Sequence, residues 1–211
     1  MKLYSYFRSS ASFRVRIALH LKQLAFEYVP VHLVRGEQRE AAFTALNAEQ
    51  LVPVLQLGDG RRLTQSMAII EYLDETQPGP ALLPADPAER ARVRALAQII
   101  ACEIHPLDNL RVLRYLAHEL KLDEGARNRW YRHWVRTGLE ALEARLAEQS
   151  GAFSHGASPG LADCFLVPQI FNARRFDCDL GDLPRTMAVF EACMKLEAFR
   201  KAQPSACPDA E

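Results

Sequence analysis

Apolar and polar positions along the chain change period several times, and each change marks an element. Lys2-Leu3-Tyr4-Ser5-Tyr6 alternates, as on a half-buried strand. Phe13, Ile17 and Leu21, with Ala18 beside them, fall on one helical face, and the serines ahead of them are natural helix-capping residues. Phe26–Val31 predicts a second strand, with Pro30 suiting an edge or a strand end because it has no N–H to give. A polar loop around Gly36 follows, then a short helix near Glu40 to Leu46 that stops at Asn47. Val52–Leu57, the turn pair Asp59-Gly60 and the run Arg62-Leu63-Thr64 predict a hairpin. Ser66 is placed to cap a helix that carries Ile69, Ile70 and Leu73 and ends before Pro78. The order strand, helix, strand, helix, hairpin, helix describes a small α/β unit.

Pro78, Gly79, Pro80, Pro84 and Pro87 make residues 78–88 the proline-dense stretch of the chain, and it predicts a linker. Beyond it Ala, Leu, Arg and Glu dominate at helical spacing: Val93, Leu96 and Ile100, then Val112, Leu116 and Leu120. A further helix carries Trp130, Trp134, Leu139, Leu142 and Leu146. The loop from Gly156 to Gly160 separates it from helices around Leu161–Phe171 and Arg185–Leu196. This half reads as all-helical. The closing stretch from Gln203 to Glu211 is polar, contains two prolines and reads as frayed.

Composition mainly excludes. A length of 211 residues allows one large domain or two small ones. Lys plus Arg and Asp plus Glu are both 26, so nothing global points to nucleic acid or a membrane surface. No segment reaches the roughly 18 uninterrupted apolar residues of a membrane span, so the expected location is the cytoplasm. The five cysteines are an odd number, scattered, and form no C-x-x-C pair, which argues against a disulfide framework, a zinc site or a dithiol centre. No metal is expected. Cys102 and Cys164 read as buried small hydrophobes, and Cys207, in the polar tail, as exposed.

Candidate chemistry gathers where the first strand turns into the first helix. Unpaired N–H groups and a partial positive charge favour an anion there, and a hydroxyl beside them can donate to a thiolate or an oxyanion. Taken alone, the same serines are better explained as caps than as a site. The run Ser9-Ser10-Ala11-Ser12-Phe13-Arg14-Val15-Arg16-Ile17-Ala18-Leu19 resembles the signature S-S-C-x-aromatic-R-V-R-I-A-L of zeta-class glutathione transferases. That group contains the maleylacetoacetate and maleylpyruvate isomerases; Ala11 stands where the family has cysteine. The resemblance continues through Leu51-Val52-Pro53, Gln65-Ser66, Ala68-Ile69-Ile70-Glu71-Tyr72-Leu73, Leu161-Ala162-Asp163-Cys164 and Val167-Pro168-Gln169, and so covers nearly the whole chain. It implies an α/β plus all-α protein. A thioredoxin-like domain over residues 1–80 would bind glutathione, and an all-helical glutathione-transferase domain over 88–211 would complete the substrate site.

The resemblance also implies roles, residue by residue. Ser9 and Ser10 are the catalytic candidates, and with Ala11 they face the glutathione sulfur. Val52, before a cis Pro53, pairs with the cysteinyl backbone. Gln65 and Ser66 hold the γ-glutamyl group, and Gln38 falls where some relatives contact the glycine end; some maleylpyruvate isomerases have histidine there. His105 and Asn109, four apart on one helix face, match positions at the glutathione cleft, although a lone helical histidine is more often structural. Arg8, Arg111 and Arg175 match positions that hold the two carboxylates of a dianionic substrate, a task suited to a planar, permanently charged fork. At Gly160, three residues before Asp163, the family has a Ser or Thr helix cap, which puts the cap geometry in question.

These roles describe a glutathione-dependent cis–trans isomerase of a maleyl keto-diacid, maleylacetoacetate in aromatic amino-acid breakdown, working as a homodimer. The thiolate adds to the double bond conjugated with the ketone, the bond rotates, and the thiol leaves. Three alternatives stand beside it: a maleylpyruvate isomerase, a general transferase that conjugates halogenated acids, and a binding protein without turnover. A glutaredoxin-like exchange is disfavoured, because Ala11 removes the cysteine that would be near the site.

Overall fold

The computed structural model describes residues 1–148 and 151–211. They divide into two compact units: Met1–Leu82 together with Met194–Glu211, and Leu83–Cys193.

The first unit opens with β1 (Lys2–Ser5), α1 (Ser10–Leu21) and β2 (Glu27–Pro30). A 3-10 turn at Glu37–Arg39, α2 (Ala41–Thr44), β3 (Val54–Gln56), β4 (Arg62–Thr64) and α3 (Ser66–Thr76) complete its opening part. The strands form one sheet in the order β2-β1-β3-β4. β2 runs parallel to β1 through the α1 crossover, and β3 and β4 run antiparallel. Leu3 sits opposite Tyr28 on one side and Leu55 on the other, and Leu55 sits opposite Leu63. Pro30 ends the edge strand, where its missing N–H costs no ladder bond. Leu3, Phe13, Ile17, Leu19, Leu55, Ile69, Ile70 and Leu73 are buried between the sheet and its helices. Each such side chain, fully withdrawn from water, contributes about 1.5–3 kcal/mol. Lys22, also buried, bonds the Asp74 carboxylate at 3.3 Å and the Pro80 carbonyl at 3.1 Å. The Leu82 N–H donates to the same carboxylate at 2.8 Å, so the early part of the proline-rich stretch belongs to this unit.

The second unit is helical. α4 (Pro87–Gln98) is capped by Asp86 and runs into a π-helical turn, Ile99–Ile104, then α5 (His105–Asp108). The path breaks at Asn109, whose extended backbone (φ −72°, ψ 162°) restarts it as α6 (Leu110–His118). α7 (Glu124–Ala147), α8 (Leu161–Arg175) and α9 (Pro184–Met194) follow. α7 buries Tyr131, Val135, Gly138, Leu139, Leu142 and Leu146. Trp130 and Trp134 flank that stripe, half-buried and edge to face at 5.7 Å, with Trp130 donating to the Leu107 carbonyl. Gly138 is required by contact: a Cβ there would lie 2.2 Å from Ile104 Cγ1 on the π-helical turn. The Gly160 cap has a definite geometry. Asp163 is buried, and its Oδ2 accepts from the Gly160 N–H at 2.8 Å while its Oδ1 accepts from the Ser154 N–H at 2.9 Å. The acid thus supplies its half of a capping box that glycine cannot reciprocate.

Where the sequence places 88–211 in one helical domain, Met194–Glu211 joins the first unit. There α10 (Glu197–Ala202) packs on α1, and a 3-10 turn at Pro204–Ala206 leads to the closing residues. That stretch is not frayed. Cys207 is buried with Tyr6, Phe7, Val31 and Val54, and Asp209 and Glu211 are hydrogen-bonded. The expectations for two cysteines therefore reverse: Cys207 is buried and Cys102 exposed, while Cys164 is buried as expected. Cys102 lies two residues from both Ile100 and Ile104, the buried positions of its turn, and so on the opposite face. Leu120, expected on an apolar face, is also exposed. Among the described residues no helix is long and apolar enough to cross a membrane.

Candidate active site

The site candidates of the first unit lie around the starts of α1 and α3. Between β1 and α1 the chain makes a turn closed by the Ser9 N–H donating to the Tyr6 carbonyl at 2.9 Å. Ser9 is the N-cap of α1, and its Oγ accepts from the Ser12 N–H at 3.2 Å. Capping uses a lone pair and leaves the hydroxyl proton free to point away from the helix. Ser9 therefore both caps the helix and offers a donor at its positive end. Ser10 is buried; Ala11, half-buried, puts a methyl group where a thiol would otherwise stand. The Ser12 Oγ is buried without a hydrogen-bond partner. Arg8 is exposed, its guanidinium 4.8 Å from the centre of the Phe7 ring.

This turn is held from beneath by a buried cation. Arg16 donates to the Phe7 carbonyl at 3.0 Å, the Ser5 hydroxyl at 3.1 Å, the Tyr6 carbonyl at 3.4 Å and the Ala202 carbonyl at 2.8 Å. Burial pushes its pKa down; the neighbouring Cys207, Tyr28 and Asp209 oppose that shift.

At the second start, Val52 is buried and the Val52–Pro53 bond is cis. Ser66 is not the cap of α3 but its first helical residue; Gln65 occupies the cap position without a capping side-chain bond. The N–H groups of the first α3 turn are thus left for another acceptor. Gln65 has φ 66° and ψ 115°, a backbone state that a side-chain-bearing residue adopts at a cost of about 1–3 kcal/mol and that clusters at ligand sites. Its amide donates to Glu49 Oε2 at 2.7 Å, and Thr64 Oγ1 donates to the other Glu49 oxygen at 3.3 Å. The buried Arg14 guanidinium, from α1, donates to Ser66 Oγ at 3.2 Å, tying the two helix starts together. Gln38 is buried on the 3-10 turn that begins after Gly36 (φ 85°), and its Oε1 has no hydrogen-bond partner.

In the second unit the expected pairing of His105 and Asn109 on one helix face is replaced by a break. Asn109 Oδ1 accepts from the N–H groups of Arg111 (3.0 Å) and Val112 (3.1 Å), and its Nδ2 donates to the Pro106 carbonyl at 3.0 Å. Its amide is occupied in capping α6. Such a side chain competes with the helix ladder for backbone partners, and here it wins. Arg111 and Arg175 are exposed, the latter 5.0 Å from the centre of the Phe176 ring. Asp108, unremarked in the sequence, is buried with neither oxygen hydrogen-bonded, and desolvation pushes its pKa up to about 8. Its charge and that of Arg175 act with opposite sign on the hydroxyl of Tyr131, which is stacked on Phe176 at 3.7 Å.

Arg14, Arg16, Glu49, Asp108 and Asp209 are the functional candidates the sequence did not single out. A signal existed for the first two: cations interleaved with Phe13, Val15 and Ile17 have no solvent face to occupy.

A parallel β-α-β half joined to an antiparallel hairpin, followed by a helical unit, is the architecture of glutathione transferases: a thioredoxin-like domain and a helical one. Comparison with known proteins agrees. Residues 8–76 match the glutathione S-transferase N-terminal domain and residues 124–192 its C-terminal domain. The chain is 52% identical to a maleylpyruvate isomerase of Ralstonia over 211 residues, covering 99% of each. It is 47% identical to a maleylacetoacetate isomerase of Pseudomonas aeruginosa, covering 99% of this chain and 98% of that one. A maleylacetoacetate isomerase from Methylobacterium extorquens, solved with bound malonate and glutathione, superposes with a TM-score of 0.97 at 39% identity and 100% coverage of both chains. The chain belongs to the glutathione S-transferase family, in its zeta class.

Proposed function

We propose that this protein is a glutathione-dependent cis–trans isomerase of maleyl-type keto-diacids, with maleylacetoacetate as its substrate and maleylpyruvate as the alternative. The observation that carries the proposal is Ser9. Its Oγ accepts at the start of α1 and keeps a proton to give, in a chain half identical to isomerases of both kinds. The residues present suit glutathione: an uncapped α3 start at Gln65 and Ser66 for a carboxylate, a buried unpartnered oxygen on Gln38 for an N–H, and Val52 beside Pro53 for a peptide. When bound, glutathione supplies the nucleophile whose reversible addition lets the conjugated double bond turn as a single bond.

The chain's own residues do the rest. The Ser9 hydroxyl, backed by the N–H groups of Ser10 and Ala11, stabilises negative charge on sulfur and so lowers the thiol pKa from its free value of about 8.5. Arg8, Arg111 and Arg175 hold the two carboxylates and offset the charge that develops on the keto oxygen. The malonate held by the M. extorquens relative is a small dicarboxylate of the kind such a clamp would take. Asn109, occupied in capping α6, contributes by fixing the start of the helix that carries Arg111, and His105 is the glutathione candidate left on that segment. The working form is a homodimer in the cytoplasm. The test is loss of maleylacetoacetate and of maleylpyruvate, followed side by side with and without glutathione. Turnover of either that stops without glutathione supports the proposal, and the faster one names the substrate. Conjugation of halogenated acids with neither diacid turned over would make the chain a general transferase.

A further inference from the structure

The segment Cys207–Glu211 is bonded to the turn that precedes Ser9 and to the loop that precedes Gln38, two of the first-unit stretches assigned above to glutathione. Asp209 Oδ2 accepts from the Phe7 N–H at 3.2 Å, and its Oδ1 accepts from the Tyr28 hydroxyl at 2.6 Å. Phe7 is thus pinned at both ends of its backbone, because Arg16 already binds its carbonyl. Two residues on, Ser9 bonds back to Tyr6 and presents its hydroxyl. Glu211 Oε1 meets Arg35 Nη2 at 2.8 Å and His32 Nε2 at 3.2 Å. The His32 N–H donates to Glu37 Oε2 at 2.6 Å, immediately before Gln38. Burial of Cys207 beside Tyr6 and Phe7 fixes the near end of the segment.

We propose that Asp209 is a positioning residue for the cofactor thiol: through Phe7 it fixes the backbone from which Ser9 presents its donor. This rests on the reading of Ser9 as the group that meets the glutathione sulfur. A carboxylate suits the task. It accepts from two donors at once, the bonds are charge-assisted, and its charge favours the buried Arg16 cation on the other side of the turn. The effect of such a donor depends on its aim, since hydrogen bonds weaken steeply once misaligned.

The test compares the parent protein with Asp209→Ala, Asp209→Asn and Ser9→Ala. It uses calorimetric titration with glutathione, the ultraviolet absorbance of bound thiolate as a function of pH, and the melting temperature. Asp209→Ala should weaken glutathione binding by about three- to tenfold, the effect of one lost bond, and move the thiolate titration to higher pH. Asp209→Asn should stay within about twofold, because its amide oxygen can accept from Phe7 while its NH2 donates to Tyr28. If Ser9→Ala moves the titration but Asp209→Ala lowers only the melting temperature, Asp209 is structural and the proposal is overturned. If Ser9→Ala leaves the titration where it was, the Ser9 reading fails, and this proposal with it. Should Asp209→Ala not fold, Tyr28→Phe, which removes one of the two donors holding the carboxylate, must shift the titration in the same direction; no shift overturns the proposal.

Discussion

Ser9 illustrates how one hydroxyl serves two ends. As an N-cap it takes the Ser12 N–H, worth about 1 kcal/mol to the helix; in the proposed reaction its proton is the one given to the sulfur. Ser9→Ala is therefore expected to lower isomerase turnover by about one to three decades, the loss seen when a positioned donor is removed. Ala11→Cys should change it far less, since that methyl stands beside the donor without acting. Equal steady-state turnover for Ser9→Ala and the parent would move the role to Ser10, Ser12 or the backbone. The arginines separate a diacid isomerase from a general transferase. Removing Arg8, Arg111 or Arg175 should cost roughly 1.5–3 kcal/mol, about ten- to a hundredfold in kcat/KM for the keto-diacid. Glutathione affinity and the conjugation of a neutral electrophile should barely move. Three alanine variants all within twofold of the parent on the diacid would remove the clamp.

Among elements, the stretch from α4 to α6 departs most from its sequence pattern. Val93, Leu96, Ile100 and Ile104 keep helical spacing, and that periodicity gave no sign of the π-helical turn or of the break at Asn109. Gly138 on α7 admits Ile104, and Asn109 offers its own amide to α6; both are tertiary or side-chain effects that a count of apolar positions does not see. β1, α3 and α7 were legible because each buries one recurring set of apolar positions, whereas α1, buried over nearly its whole circumference, was legible through the serines at its start. The same limit hid Asp108, an ordinary surface-type residue placed where no partner reaches it. With its folded pKa near 8 and an ordinary value of 3.8, the native state keeps a proton that the unfolded chain gives up between about pH 4 and 8. Stability should therefore fall as pH rises through that window, by up to about 1.4 kcal/mol per pH unit, and level off above it. Asp108→Asn should flatten the slope and raise stability at pH 8. Urea unfolding of parent and variant at pH 5.5, 7 and 8.5 would show it; identical slopes would mean the carboxyl is ionised throughout.

For the whole molecule the reading from sequence went astray at its end. A polar, proline-containing stretch looks unanchored until Tyr28 and Phe7, 181 and 202 residues before Asp209, are placed beside it. The same limit applies to assembly, where two-fold pairing is the commonest closed symmetry for soluble proteins. Light scattering at micromolar concentration should give twice the 23.8 kDa chain mass, and a monomer at every concentration would refute the dimer. The Arg16–Ala202 bond has a further consequence, for the protein during its own synthesis. Its two partners are separated by 186 residues. At about 5–20 residues per second, the ribosome delivers the acceptor roughly 10 to 40 s after the cation. Through that interval β1, α1 and the hairpin can form, but the guanidinium lacks one of its carbonyls and α1 lacks the cover of α10. The half that carries Ser9 is made first and finished last.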